Sequence, residues 1–136
     1  VSAQNPNLDK LNSYKIAFFT QKLNLTPQEA EKFWPLYNEY QDRKNKIQIE
    51  RVQMTRIVVQ NGANMSDKEL TELGDKYFGL ETKEADLSKE FYNNMKGVLP
   101  PLKILRFYQV ENQYKIVLLN ELQERRQVRN KPPLQK

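Results

Sequence analysis

Leu25-Thr26-Pro27-Gln28-Glu29 is built as the start of a helix. Thr26 brings the N-cap side chain, a hydroxyl that accepts a backbone N–H of the first turn. Pro27 stands at the first helical position, where a missing N–H costs nothing. Glu29 lies three residues after the cap and reaches back to the Thr26 N–H. That closes a capping box, with Leu25 and Ala30 in the hydrophobic-staple positions. No strong breaker follows until Asn61-Gly62. The spacing predicts a helix of about 35 residues, roughly 50 Å long. In a chain of 136 residues, a rod of that length governs what everything else can pack against.

Upstream, Asn7 or Asp9 is placed to cap a first helix running to about Leu23, with Ile16, Phe18, Phe19 and Leu23 as its apolar side. Residues 1–8 are expected to be flexible. Val1-Ser2-Ala3-Gln4-Asn5-Pro6 gathers small residues as around a secretory cleavage site, which predicts an exported chain whose signal peptide has been removed. Asn24-Leu25 is a short connection into the capped helix.

Downstream, Pro35 removes one backbone bond and crowds the Glu31 carbonyl, so a kink is expected there. Asn61-Gly62-Ala63-Asn64 signals a turn, and Ser66-Asp67-Lys68-Glu69 is a second capping box. From it, Leu70, Leu73, Tyr77, Leu80, Glu84, Leu87, Phe91 and Met95 step by three and four. That is a heptad seam with one charged break at Glu84. Gly97 is expected at the C-cap. Leu99-Pro100-Pro101 then opens a fourth helix reaching about Arg126. Its apolar side reads as Leu105, Tyr108, Leu119 and Leu122, with Ile104, Phe107 and Tyr114 nearby. Pro132-Pro133 closes a basic tail, residues 128–136, expected to be flexible. Leu, Ala, Glu, Lys, Gln and Arg dominate the middle of the chain, which favours helix throughout. The fold class expected is all-α: four helices, long, antiparallel and kinked, in one domain over residues 9–127.

An internal echo runs at an offset of 74 residues. Leu25-Thr26-Pro27 aligns with Leu99-Pro100-Pro101, Phe33 with Phe107, Trp34 with Tyr108, and Tyr40 with Tyr114. One offset shared by so many positions favours a repeat over coincidence.

The absent residue types bound the chemistry. There is no cysteine and no histidine, which removes thiol nucleophiles, imidazole bases and the usual soft metal ligands. Gly62, Gly74, Gly79 and Gly97 match no phosphate-loop spacing. Glu69 with Glu72, and Glu121 with Glu124, sit one turn apart as surface charge. Met54, Met65 and Met95 lie in different segments and read as gap-fillers. The expectation is a non-enzyme without cofactor or metal. The pI near 9.3 invites a nucleic-acid partner, but no helix-turn-helix, zinc or basic-zipper pattern is present, so none is expected. Arg125, Arg126, Arg129 and Lys131 could touch phosphate or anionic lipid, but a solubilising tail is the plainer account.

The net charge of +5 is unevenly spread. From Asp42 to Val59 five bases oppose two acids. From Ser66 to Met95 four lysines oppose eight acids. From Lys96 onward nine bases oppose three acids. A basic face on the second and fourth helices would steer acidic or unfolded partners. Arg43, Lys44, Lys46, Arg51 and Arg56, interspersed with Ile47 and Met54, form its candidate client-binding set. The plainer account of the charges is solvated helix faces, and of Ile47 and Met54, core.

The two helix starts resemble the Spy/CpxP-type periplasmic proteins with the LTxxQ motif. Leu25, Thr26, Pro27, Glu29 and Phe33 look like the first copy, and Leu99, Pro100, Pro101 and Phe107 like a degenerate second. Glu29 stands where the motif has Gln, a mild change, since either closes a capping box. The second copy lacks both Thr and Gln. The resemblance implies a four-helix fold of long antiparallel helices, pairing into a thin, curved homodimer. It implies an exported, ATP-independent chaperone that binds unfolded or partly folded proteins in the periplasm. The alternative it carries is an envelope-stress sensor docking on a specific membrane signalling partner; a metal-responsive role stands behind both.

Overall fold

The computed structural model describes residues 6–134, with side chains described from residue 9. Among them are four α-helices and no strand: α1 (Pro6–Leu23), α2 (Pro27–Asn61), α3 (Asp67–Met95) and α4 (Pro101–Asn130), with a single 3-10 turn at Gly62–Asn64. The chain is all-α, and it divides into two compact units. Residues 1–30 and 100–136 form one, residues 31–99 the other. Residues 1–5 and 135–136, expected to be flexible, lie outside the described residues.

The terminal boundaries differ from expectation. α1 begins at Pro6, so positions 6–8 are helical; proline's fixed φ suits a first helical turn. α4 runs on to Asn130, so positions 128–130 are helix too. It stops where Lys131 turns extended (φ −69°, ψ 130°), as a residue before proline prefers.

The capping box at residues 26–29 is formed in both directions. The Thr26 N–H donates to Glu29 Oε1 at 2.9 Å, and the Glu29 N–H donates to Thr26 Oγ1 at 3.1 Å. α2 then runs unbroken for 35 residues, with Pro35 inside it. Ser66 caps α3 by accepting the Glu69 N–H at 3.1 Å, and Asp67 and Glu69 complement the helix N-terminus. Pro100 caps α4 with no side-chain hydrogen bond, as a motif lacking Thr requires.

Gly97 does not close α3 in the left-handed conformation. No glycine has positive φ, and the C-cap is Lys96, in right-handed geometry. The chain keeps turning, with the Val98 and Leu99 N–H groups both donating to the Met95 carbonyl, until the double proline. The left-handed cap is Asn24 instead, at φ 49°. The Leu25 N–H donates to the Thr20 carbonyl at 3.1 Å and the Asn24 N–H to the Gln21 carbonyl at 3.2 Å. This is a Schellman motif, and Asn is the residue after Gly that best tolerates its αL position.

In the first unit α1 packs on α4. Phe19 is fully buried with its ring 6.0 Å from Phe107 and 5.7 Å from Tyr114, and Phe18 stands 5.6 Å from Tyr114. Leu23, Leu25, Ile104 and Val110 complete this core. The face of α4 that it buries is Ile104, Phe107, Val110 and Tyr114. Leu105, Tyr108, Leu119 and Leu122, expected on the apolar side, are exposed. α4 has two apolar faces, and the aromatic residues of α1 select the one that carries Phe107 and Tyr114.

In the second unit α2 and α3 form a helical hairpin held by long side chains. Ile47, Leu80 and Leu87 are its buried centre, with Tyr40 and Met54 packed against them. Tyr40 stacks on Phe91 at 4.3 Å and 8°, and Tyr37 meets the same ring edge-on at 6.4 Å. The second half of the seam read from α3 is buried, at Leu80, Leu87, Phe91 and Met95; in its first half Leu70 and Leu73 are half-buried and Tyr77 is exposed. The charged break at Glu84 is filled by Arg51, which pairs with it.

The 74-residue echo has a structural counterpart within each unit. Leu25 and Leu99 are both buried, as are Phe33 and Phe107. Phe33 and Trp34 lie edge-to-face at 5.1 Å and 72°, and Phe107 and Tyr108 at 5.2 Å and 74°.

Candidate functional site

The motif residues sit at a built corner of the first unit. Lys103 extends its ammonium to the Asn24 carbonyl at 2.7 Å and to Glu29 Oε1 at 2.6 Å. Lys103 and Glu29 are both mostly shielded from solvent, with side chains 19% and 16% exposed. One carboxylate oxygen thus accepts from the ammonium and from the Thr26 N–H. The Lys103 hydrogen bond first, and the Thr26 N–H next, hold the Glu29 carboxyl below the usual carboxylate range. Thr26, Pro27, Pro100 and Pro101 are exposed; Thr26 supplies the cap hydroxyl and the prolines only backbone geometry. The two charges of the corner satisfy each other, and the contacts hold residues 24–29 against the start of α4.

The basic face expected on α2 is largely spent inside the hairpin. Arg43 donates to Glu90 at 2.9 Å and lies 3.9 Å from Glu39. Arg51 reaches Glu84 and, at 3.2 Å, Glu81. Each guanidinium is held above its usual pKa by its closest carboxylate, Glu90 and Glu84 respectively, and Glu90 is pushed down in return by Arg43. Lys44 lies over the Tyr40 ring at 5.7 Å. Ile47 is buried and is core, not a contact surface. Local spacing on α2 could not reveal this, because the acids that take Arg43 and Arg51 lie 30 or more residues away on α3.

Of that set, Lys46 and Arg56 remain fully on the surface. Between and beyond them stand Ile49, Val52 and Val59, 55%, 47% and 79% exposed. At 100° per residue these five positions share the side of α2 opposite Ile47 and Met54. Sequence reading missed this stripe, having picked out only Ile47 and Met54 among the basic residues of α2.

Met54 lines an open apolar groove of about 280 Å³ near the turn end of the hairpin. Its other walls are Thr55, Val58, Leu70, Leu73, Gly74 and Tyr77. Gly74 makes room for it, since a side chain there would meet nothing within 4 Å. A flexible thioether and aliphatic walls suit varied apolar side chains.

No group of His, Cys, Asp or Glu among the described residues could hold a metal ion, and none of the described helices is long and apolar enough to cross a membrane. Compared with known proteins, the chain matches no family model, no curated protein and no solved structure.

Proposed function

We propose that this chain binds non-native polypeptides without nucleotide, as an exported chaperone of the Spy/CpxP type. The observation that supports this is the outer stripe of α2. Ile49, Val52 and Val59 are apolar and solvent-facing, and Lys46 and Arg56 flank them. Isolated exposed apolar residues are ordinary, but a run on one helix side with basic flanks offers weak, adaptable contact to unfolded chains. The Met54 groove adds a receptor for single apolar side chains. Release follows when a client buries its own apolar groups. Location in the periplasm and pairing into a homodimer through the long helices belong to the same proposal.

The experiment is dilution of two unrelated unfolding proteins with this chain, without ATP, at low and high salt. Protection near equimolar ratio, reduced by salt and lost in an Ile49→Gln, Val52→Gln, Val59→Gln variant, is the expected result. No protection at several-fold excess overturns the chaperone function and leaves a sensor that docks on one envelope partner. Sedimentation equilibrium checks the dimer separately.

A further inference from the structure

α4 keeps a second face that nothing in its unit covers. Positions 105, 108, 112, 115, 119, 122, 126 and 129 step by three and four, a continuous seam of about 36 Å. It is not the buried side, which runs through Ile104, Phe107, Val110 and Tyr114. Leu105, Leu119 and Leu122 on this seam, and Ile116 beside it, are each more than half exposed. Lys115, Arg126 and Arg129 occupy the seam positions between and beyond the leucines, and all three are exposed. Of the acids of α4, Glu121 and Glu124 fall off it, while Glu111 borders it one turn before Lys115.

We infer that this outer face of α4 docks on an anionic lipid surface. The occupant follows from the charges and the shape. Arg126 and Arg129, with no acid three or four residues away on α4, favour a negative partner, and a second copy of the same face brings three bases to one bordering acid. One convex helix side, with leucines at its centre and long basic side chains among them, suits a planar bed. The aliphatic residues enter the acyl boundary while Lys and Arg extend to the headgroups. The inference rests on α4 alone and does not require the polypeptide-binding function proposed for α2.

Co-sedimentation with vesicles tests it. The intact chain is expected to bind phosphatidylcholine vesicles containing about one-third phosphatidylglycerol, and not pure phosphatidylcholine. Leu119→Gln with Leu122→Gln is expected to weaken binding roughly tenfold or more, and Arg126→Gln with Arg129→Gln by a similar factor. Lys46→Gln with Arg56→Gln removes the same charge from α2 and should change binding less than about twofold. Circular dichroism checks that each variant stays helical. Since the chain has no cysteine, a polarity-sensitive dye on Gln123→Cys reports insertion without altering the leucines; it should shift blue on anionic vesicles, and a dye on Gln53→Cys should not. Equal losses from the α2 and α4 charge pairs, undiminished binding after the Leu→Gln changes, no binding to anionic vesicles, or an unshifted Gln123→Cys probe overturns the inference. So does self-association in solution that disappears with Leu119 and Leu122, which would make the face a contact between copies.

Discussion

Lys103 occupies the position in the second helix start that Glu29 occupies in the first, 74 residues earlier, and the two side chains meet at 2.6 Å. Corresponding residues of the two helix starts are therefore each other's partners. A carboxylate where the motif resembled has an amide, and an ammonium where it has another, together form a charged pair that two glutamines would make only as a neutral bond.

Glu29→Gln should keep the capping box yet lose the charge in the pair, costing about 1 kcal/mol in urea unfolding. Thr26→Ala, which removes the cap acceptor, should cost about 1 kcal/mol as well. Lys103→Met should cost about 1–2 kcal/mol, because it leaves the Asn24 carbonyl and Glu29 without their donor. Equal stability of Lys103→Met and the parent would show that the corner contributes nothing.

The same pair sets an acid response. Glu29 has its folded pKa depressed by Lys103 and by the Thr26 N–H. Its contribution is present above the ordinary carboxylate pKa and is lost as pH falls through the lower, folded one. Urea midpoints of the parent and of Lys103→Met should converge on acidification below the usual carboxylate range, and separate again at neutral pH.

Tyr114 gives the alkaline counterpart. Burial first, then the nearby Tyr14 and Glu121, push its phenol above the usual value. The unfolded chain ionises this tyrosine more readily, so stability falls as pH rises past the ordinary tyrosine range. Ultraviolet titration should show a late-ionising step, and Tyr114→Phe should reduce it by one tyrosine's amplitude.

Arg51 and Glu84 differ from a surface pair, since the arginine side chain is only 16% exposed and its Nε is buried without a partner. Glu84→Leu alone should lower the urea midpoint, because it leaves the shielded guanidinium only the more exposed Glu81 as a carboxylate partner. Arg51→Met with Glu84→Leu should restore or exceed the parent midpoint, as apolar replacements of shielded pairs do.

Gly74 and Gly79 are helical positions where an added methyl meets nothing within 4 Å. Alanine at either should stabilise by about 0.5–1 kcal/mol. Gly74→Leu fills the Met54 groove and should weaken client protection, while Gly79→Leu should not. Identical effects of the two leucines would remove the groove from the binding surface.

What the sequence showed and what it concealed divide by range. The Thr26–Glu29 box, the Asn61-Gly62 stop and the α3 seam from Leu80 to Met95 depend on neighbours within one turn or one heptad, and each stands in the structure. The buried side of α4 depends on Phe19, some 90 residues upstream, and an equally regular seam through Leu105 and Leu119 competed with it. Arg43 and Arg51 read as a free basic face because Glu90 and Glu84 are distant in sequence. Two features had signals that went unread. Asn24 just past the end of α1 is a favoured left-handed cap, and the echo itself placed opposite charges at 29 and 103.

The Arg51–Glu84 pair in the α2–α3 seam also fixes which turn of one helix faces which turn of the other. A seam of leucines alone can slide by seven residues and still bury apolar groups. Here a slip of one heptad along α3 would set Tyr77 or Phe91 opposite Arg51 in place of Glu84, leaving a guanidinium among apolar side chains. Arg51 and Glu84 thus act as an index mark, giving up some burial so that the hairpin has one alignment rather than several.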